Sequence, residues 1–428
     1  MNSRKGSSRK SSVDKNLVPN PAHWRLVKLK HLVEICNGRD FEEVEAGQGY
    51  PVIGSGGEFA KASQYLYKGE SVLLGRKGTI NRPLYVNQSF WVVDTMFYTI
   101  MKPGTCAKFV YYATTTIPFD FYSTNTALPS MTQVDLAAIA FVVPSFEEQY
   151  CIARFLDRET DKIDALIAEQ EKLIALLAEK RQAIISQAVS GRHQSNAKLV
   201  DSGVTWLGKI PRHWTVCALA YRYEIALGKM LDEKKISGEF LAPYLRNADV
   251  QWGSINVDDL PQMDFGGSDK VRFLLKENDL LVCEGGEVGR AAVWRSALPE
   301  CFYQKALHRL RPRSVNDTTE YFFFVLNAAV ALGAFSESGN KATIAHLPAE
   351  AFRRSRFAFP PREEQNSIVA FLKGKTAALD SLLLQVKKAV SLLKERRSAL
   401  ISAAVTGKID VRDHIADEEP ATDVASIT

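Results

Sequence analysis

The sequence predicts an α+β (mixed α/β) chain: two small-sheet domains joined by a pair of long antiparallel coiled-coil helices, related by a pseudo-twofold internal repeat. Three observations carry this expectation. Blocks of the first half recur in the same order in the second. After a Glu-Glu-Gln motif both copies become long, periodic and nearly free of Gly and Pro. Ahead of that motif, short β-prone runs alternate with helix-compatible stretches and Gly-rich turns.

The repeat comes first, because a duplicated chain misread as one domain is misread throughout. Residues 21–38, PAHWRLVKLKHLVEICNG, align with 211–228, PRHWTVCALAYRYEIALG, at an offset of 190. Gly78, Asn81 and Arg82 face Gly286, Gly289 and Arg290 at an offset of 208. PSFEEQYCIARFLDRETDKID at 144–164 matches PPREEQNSIVAFLKGKTAALD at 360–380, and LLAEKRQAIISQAVSG at 176–191 matches LLKERRSALISAAVTG at 392–407, both at 216. The second copy therefore carries insertions of about 18 and then 8 residues, all before the Glu-Glu-Gln motif. Each half is a divergent globular part followed by a part whose length is held.

The length-held part reads as helix. Apolar residues recur at Ile163, Ile167, Ile174, Leu177, Ile184 and Ala188, and at Leu379, Leu383, Val390, Leu393, Leu400 and Ala404. This is a period of about 3.5–3.6 over roughly four heptads, with charged residues between. Gly191 and Gly407 stand where helix C-terminal caps belong. Counted from the Glu-Glu pair, each helix runs about 44 residues, or about 65 Å. One helix against the other is the simplest burial for so long a stripe, and a chain that returns to its start makes the pair antiparallel. The alternative is that each helix packs on its own domain.

The globular parts combine runs such as YPVIG, SVLLG, SFWVVDTMFYTIM, LLVCEGG and AAVWR with helix-compatible KFVYYATTTI and TTEYFFFVLNAAVALGAF. The expected organisation is a basic disordered tail (1–18), a first domain (19–146), a first helix (147–191), a linker (192–206), a second domain (207–362), a second helix (363–407) and an acidic disordered tail (408–428).

Composition agrees with a soluble globular protein: 46% hydrophobic and 24% charged. No apolar run approaches a membrane span, and no apolar region follows the basic N-terminus as a secretory signal would require. Residues 1–18 hold five Lys/Arg and one Asp, and 410–428 hold six Asp/Glu and one Arg, which leaves 19–409 with a mild excess of +6. That excess is compatible with phosphate contact without being diagnostic of it. Cys36, Cys106, Cys151, Cys217, Cys283 and Cys301 show no metal-ligand spacing. They suit a reducing cytoplasm and imply neither zinc nor a disulfide framework.

Each Pro-x-His-Trp block suggests a buried Trp anchoring the first segment of its domain. His23 and His213 have no partner carboxylate pattern, so structure outweighs catalysis there. Gly54-Ser55-Gly56-Gly57 and Glu284-Gly285-Gly286-Glu287-Val288-Gly289 do not continue as a phosphate-binding Gly-Lys-Ser/Thr loop. They fit tight loops that bring backbone close to a partner. Beside them stand Arg76, Lys77, Thr79, Asn81 and Arg82 in the first copy, and Glu287 and Arg290 in the second. Arg, Asn and Glu are the residue types that read guanine, adenine and cytosine edges in a major groove. A second polar loop recurs, with Asn125 in one copy and Asn340 and Lys341 in the other. The DNA-contact candidates are thus Ser55, Arg76, Lys77, Thr79, Asn81, Arg82, Asn125, Glu287, Arg290, Asn340 and Lys341. No Asn/Asp-Pro-Pro-aromatic motif, catalytic triad or paired-carboxylate site stands out, so neither a catalytic residue nor a metal ligand is expected.

Two variable halves, each ending in Pro144, Glu148, Gln149, Ile152, Phe155 and Leu156 or Pro360, Glu364, Gln365, Ile368, Phe371 and Leu372, resemble the specificity subunits of type I restriction–modification systems. YPVIGSGGEFAKA and LLGRKGTI are similar to segments of the target-recognition domains of that family. The resemblance covers about 20–410. It implies a non-catalytic, cytoplasmic DNA-binding subunit that reads a bipartite asymmetric target, one domain per half-site. Its helices would act as a ruler and dock two methyltransferase subunits, with restriction subunits joining the complex. No cofactor is implied for this chain; S-adenosylmethionine, ATP and Mg²⁺ would belong to the partners. A single-chain DNA methyltransferase or nuclease, and a coiled-coil scaffold that does not bind DNA, remain the alternatives.

Overall fold

A computed structural model describes residues 21–122, 129–193, 197–231, 237–335 and 346–411. The N-terminal tail, most of the C-terminal tail, and the candidates Asn125, Asn340 and Lys341 lie outside the described residues. The chain forms two compact units, Met1–Glu171 with Lys388–Thr428, and Lys172–Lys387. Both long helices, Phe146–Val189 and Arg362–Val405, have 44 residues and contribute a part to each unit.

In the first unit the opening strand Arg25–Lys28 pairs antiparallel with Ala140–Val143, the strand that leads into the first long helix. Between them lies a seven-stranded sheet in the order Val33–Asn37, Met96–Met101, Tyr67–Gly75, Leu84–Val92, Tyr50–Gly54, Gly57–Ala62, Glu45–Ala46. That sheet is larger than the sequence suggested. The run SFWVVDTMFYTIM covers two strands, split by a turn at Val93–Thr95. Tyr50–Gly54 pairs parallel with Leu84–Val92, a partner distant in sequence that no local pattern reveals. Leu29, Leu74, Phe97, Phe109 and Leu136 pack with Ile152, Phe155 and Leu156 of the first long helix and with Ile401, Ala404 and Val405 of the second.

The second unit repeats the plan. Thr215–Ala218 pairs antiparallel with Arg356–Phe359 ahead of the second long helix. A four-stranded sheet runs Tyr223–Leu227, Leu307–Pro312, Leu280–Cys283, Ala291–Val293. A three-stranded sheet runs Gln262–Asp264, Leu241–Leu245, Phe302–Tyr303, and its parallel pair, Leu241–Leu245 with Phe302–Tyr303, repeats that of Tyr50–Gly54 with Leu84–Val92. The helix Thr319–Ala331 packs in a core with Ile185, Ala188 and Val189 of the first long helix and Ile368 and Leu372 of the second. Part of the expected linker is ordered, since Leu199–Asp201 pairs with Lys209–Pro211.

Within each unit the helix segments run antiparallel. In the first, Arg397 pairs with Asp164 and Lys394 with Glu171; in the second, Arg181 pairs with Asp380 and His193 stacks on Phe371. Leu156, Thr160, Ile163 and Ile167 form a buried stripe in the first unit, spaced alternately four and three residues. That spacing is the seam of a coiled coil. Thr160 and Thr376 enter the seam with their hydroxyls donated back to the carbonyls of Leu156 and Leu372, so neither polar group is left unmet.

The recurring residues now have physical reasons. Gly191 and Gly407 adopt φ of +70° and +71° and end the helices. The N–H groups of Gly191 and Arg192 donate to Ala188 and Gln187, a Schellman arrangement repeated by Gly407 and Lys408. A Cβ on Gly38 or Gly228 would lie 2.0 Å from the carbonyl oxygen of Val93 or 2.3 Å from that of Tyr303. Only glycine lets the chains cross there.

Candidate nucleic-acid interface

The scaffold that holds the loops is built around Glu148 and Glu364. Glu148 accepts from Trp24 Nε1 at 3.1 Å and its other oxygen lies 2.9 Å from His23 Nε2. Glu364 does the same with Trp214 at 2.9 Å and His213 at 2.8 Å. Both histidines therefore have carboxylate partners, which the sequence alone did not supply because they lie 125 and 151 residues away. The neighbouring glutamines are buried. Gln149 accepts from the N–H of Cys106 and Gln365 from that of Thr318, the N-cap residues of Ala107–Thr115 and Thr319–Ala331. Their amide groups donate to the carbonyls of Pro144 and Pro360. The Glu-Glu-Gln motif thus ties each domain to the start of its own long helix.

On this scaffold two loops converge in each unit. In the first, the loop after the strand Tyr67–Gly75 is bridged by Lys77 to Ser130, just beyond the residues around Asn125. Gly78 N donates to Pro129 O at 2.9 Å and Met131 N to Arg76 O at 3.0 Å. In the second, Gly285 bridges His346, and Leu347 N donates to Glu284 O at 2.7 Å. His346 Nε2 also lies 3.1 Å from the buried Glu284 carboxylate. The repeat aligns Arg76 with Glu284 and Lys77 with Gly285, so the same junction carries opposite charge in the two units.

The first-unit candidates spread along this edge. Arg76 is half-buried, donates to Asp94 O at 3.2 Å, and lies over the Phe97 ring. Lys77, Thr79, Asn81 and Arg82 are exposed. Arg76 and Lys77 line a cleft of about 410 Å³ with Asn37, Phe97, Thr132 and Gln133. Ser55 sits in the two-residue turn between Tyr50–Gly54 and Gly57–Ala62. Its neighbour Gly54 lies against Val93, and the turn at Val93–Thr95 holds Arg76.

In the second unit Glu287 is half-exposed and Arg290 is turned inward. The Arg290 guanidinium donates to the carbonyl of Asn247 at 3.0 Å and lies 3.5 Å from Glu287. Asn247 Nδ2 donates to Gly285 O at 2.8 Å, and Trp252 Nε1 donates to Glu287 at 2.5 Å. Asn247 and Trp252 left no trace in the sequence pattern because they lie 38 and 35 residues from their partners Gly285 and Glu287. Among the described residues no group of three or more His, Cys, Asp or Glu could hold a metal ion, and no helix is long and apolar enough to cross a membrane.

Paired loop junctions on a duplicated domain-and-helix frame define a class of recognition subunit. The type I restriction modification DNA specificity domain matches residues 21–175 and again 223–389. The chain is 20% identical to the type I restriction enzyme EcoBI specificity subunit of Escherichia coli, over 90% of this chain and 86% of that protein. It is 24% identical to the EcoKI specificity subunit of E. coli strain K12, over 62% of this chain and 57% of that one. A solved chain from a study of complex assembly and conformational transition of the type I restriction–modification system shares the fold, with a TM-score of 0.64 at 16% identity, covering 91% of this chain and all of that one. This chain belongs to the type I restriction–modification DNA specificity family, as a non-catalytic DNA-recognition subunit.

Proposed function

We propose that each unit reads one half of a bipartite, asymmetric DNA target, and that the long helices set the spacing between the halves. The observation that carries this is the loop junction itself. It occurs at the same place in both units, on the same frame, but with Arg76 and Lys77 in one and Glu284 and Gly285 in the other. Equivalent frames with unlike residues at the junction suit two unlike half-sites, with phosphate contacts positioning each unit and loop residues specifying bases.

The helices also offer a docking surface. Leu166 and Leu392 are exposed in the first unit, as are Leu173, Leu176, Leu382 and Leu384 in the second. Exposed leucines in otherwise charged helices fit cover by a partner, and the occupants we propose are two methyltransferase subunits, with restriction subunits joining them in the cytoplasm. S-adenosylmethionine, ATP and Mg²⁺ would be bound by those partners. The chain alone, given DNA, S-adenosylmethionine and Mg²⁺, is then expected to leave the DNA unmodified.

The test is to insert four helical residues after Leu173 or Ala389, which adds about 6 Å to one helix, and to map methylated sites made by the complete complex. The gap between half-sites should grow by one or two base pairs. Unchanged spacing, or a wild-type target in one uninterrupted block, would remove the reading.

A further inference from the structure

We infer that Glu287 is a base-reading residue, and that the base it reads is a cytosine in the half-site bound by the second unit. This rests on the proposed assignment of one half-site to each unit. A carboxylate at the tip of a DNA-facing loop is repelled by phosphate, so its presence needs a compensating donor. In the major groove the bases offer only two such donors, the amino groups of cytosine and adenine. Adenine places its N7 acceptor beside the amino group, where it would face a carboxylate oxygen, whereas cytosine offers the amino group without that neighbour. A carboxylate therefore favours cytosine.

The surroundings of Glu287 match this task. Its carboxylate is half-exposed yet held from two sides, by the Trp252 indole at 2.5 Å and the Arg290 guanidinium at 3.5 Å. Arg290 is fixed by Asn247, which also binds the backbone of Gly285 at the base of the loop. Trp252 packs edge-on against Phe323 of the helix Thr319–Ala331. A reader held by packed neighbours loses little freedom on binding. Exposed Gly286, at φ +71°, keeps the approach to the loop free of side chain. The aligned residue of the first unit, Thr79, is exposed and uncharged. The difference belongs to the second half-site alone.

The experiment maps the methylation motif of the complete complex carrying Glu287→Gln or Glu287→Ala, beside the wild type. Gln keeps an acceptor for Trp252 and pairs with adenine through N6 and N7. Glu287→Gln should admit adenine at one position that is cytosine in the wild-type motif. Glu287→Ala should lower discrimination at that same position roughly ten- to hundred-fold, and neither variant should change the other half-site. A motif unchanged in both variants, or a change confined to a pair that is A·T in the wild type, would overturn the inference while leaving the two-unit reading intact. A wild-type motif that is not bipartite would instead remove the reading on which it rests.

Discussion

Arg397 donates to Asp164 at 2.9 Å, and the pair of residues 216 positions away in the repeat, Arg181 and Asp380, meets at the same 2.9 Å. Both arginines fall on the seam of their helix, where the heptad expects an apolar residue, and both stay half-buried. A polar residue at such a position costs stability and fixes register, because any slip separates it from its partner.

Reversing one charge tests this role. Asp380→Arg places two guanidinium groups together and should lower the stability of the second unit by about 1 kcal/mol, while the double reversal Arg181→Asp with Asp380→Arg should recover most of the loss. Denaturant melts of the four combinations give the coupling directly. Additive losses would mean that the pair contributes nothing to pairing.

Two glycines make opposite predictions. Gly191 has φ of +70°, and a Cβ there would lie 2.4 Å from the Pro211 ring. Gly191→Ala should therefore destabilise the second unit by about 2 kcal/mol or more, since strain and clash add. Gly374 lies inside the second long helix with nothing within 4 Å of a built Cβ. Gly374→Ala should stabilise by about 0.5–1 kcal/mol. Thermal unfolding of the two variants should shift in opposite directions.

Much of this frame was legible because it obeys local rules. The helical period, the two glycine caps and the repeated blocks each leave a short-range trace in the sequence. What stayed hidden depends on residues far apart in the chain. No spacing rule joins His23 to Glu148, or Gln149 to the N-cap residue Cys106. The parallel pairing of Tyr50–Gly54 with Leu84–Val92 is equally non-local. At the loops, residue type found Arg290 but not its orientation. Whether an arginine faces solvent or its own domain depends on Asn247, 43 residues away.

His308 gives the second unit a pH dependence. It is fully buried in the strand Leu307–Pro312, with Nε2 2.9 Å from Leu347 O and Nδ1 without a hydrogen-bond partner. Burial pushes its imidazole down to about 4, with His346 and Arg353 acting in the same direction and the Leu347 hydrogen bond opposing. The unfolded chain therefore binds the proton more readily. The stabilisation is complete above about pH 6.5 and is lost as pH falls toward 4, on the order of 3 kcal/mol in all. His308→Gln keeps a donor for Leu347 and should flatten the fall between pH 6.5 and 4. An equally steep fall in that variant would assign the dependence to other groups.

The last prediction concerns how each domain recognises its own helix. In the first unit Lys108, near the start of the helix Ala107–Thr115, pairs with Asp157 of the first long helix. In the second, Glu320 at the same place in Thr319–Ala331 pairs with Lys373 of the second long helix at 2.8 Å. Asp157 and Lys373 are equivalent in the repeat, so the two docking contacts carry reversed charge. A first domain placed ahead of the second helix would set Lys108 against Lys373, so each domain is matched to one position. Lys373→Asp should cost the second unit about 1 kcal/mol, since the contact is partly exposed and Arg295 still pairs with Glu320. Asp157→Lys should cost more, because Tyr112, which donates to Asp157 at 2.8 Å, loses that charged acceptor and keeps only Thr160 Oγ1 at 3.1 Å. The decisive measurement is a hybrid with the first domain in both positions, melted with and without Lys108→Glu in its second copy. If charge matching governs docking, the substitution raises the hybrid's melting temperature while the same change in the native first position lowers it.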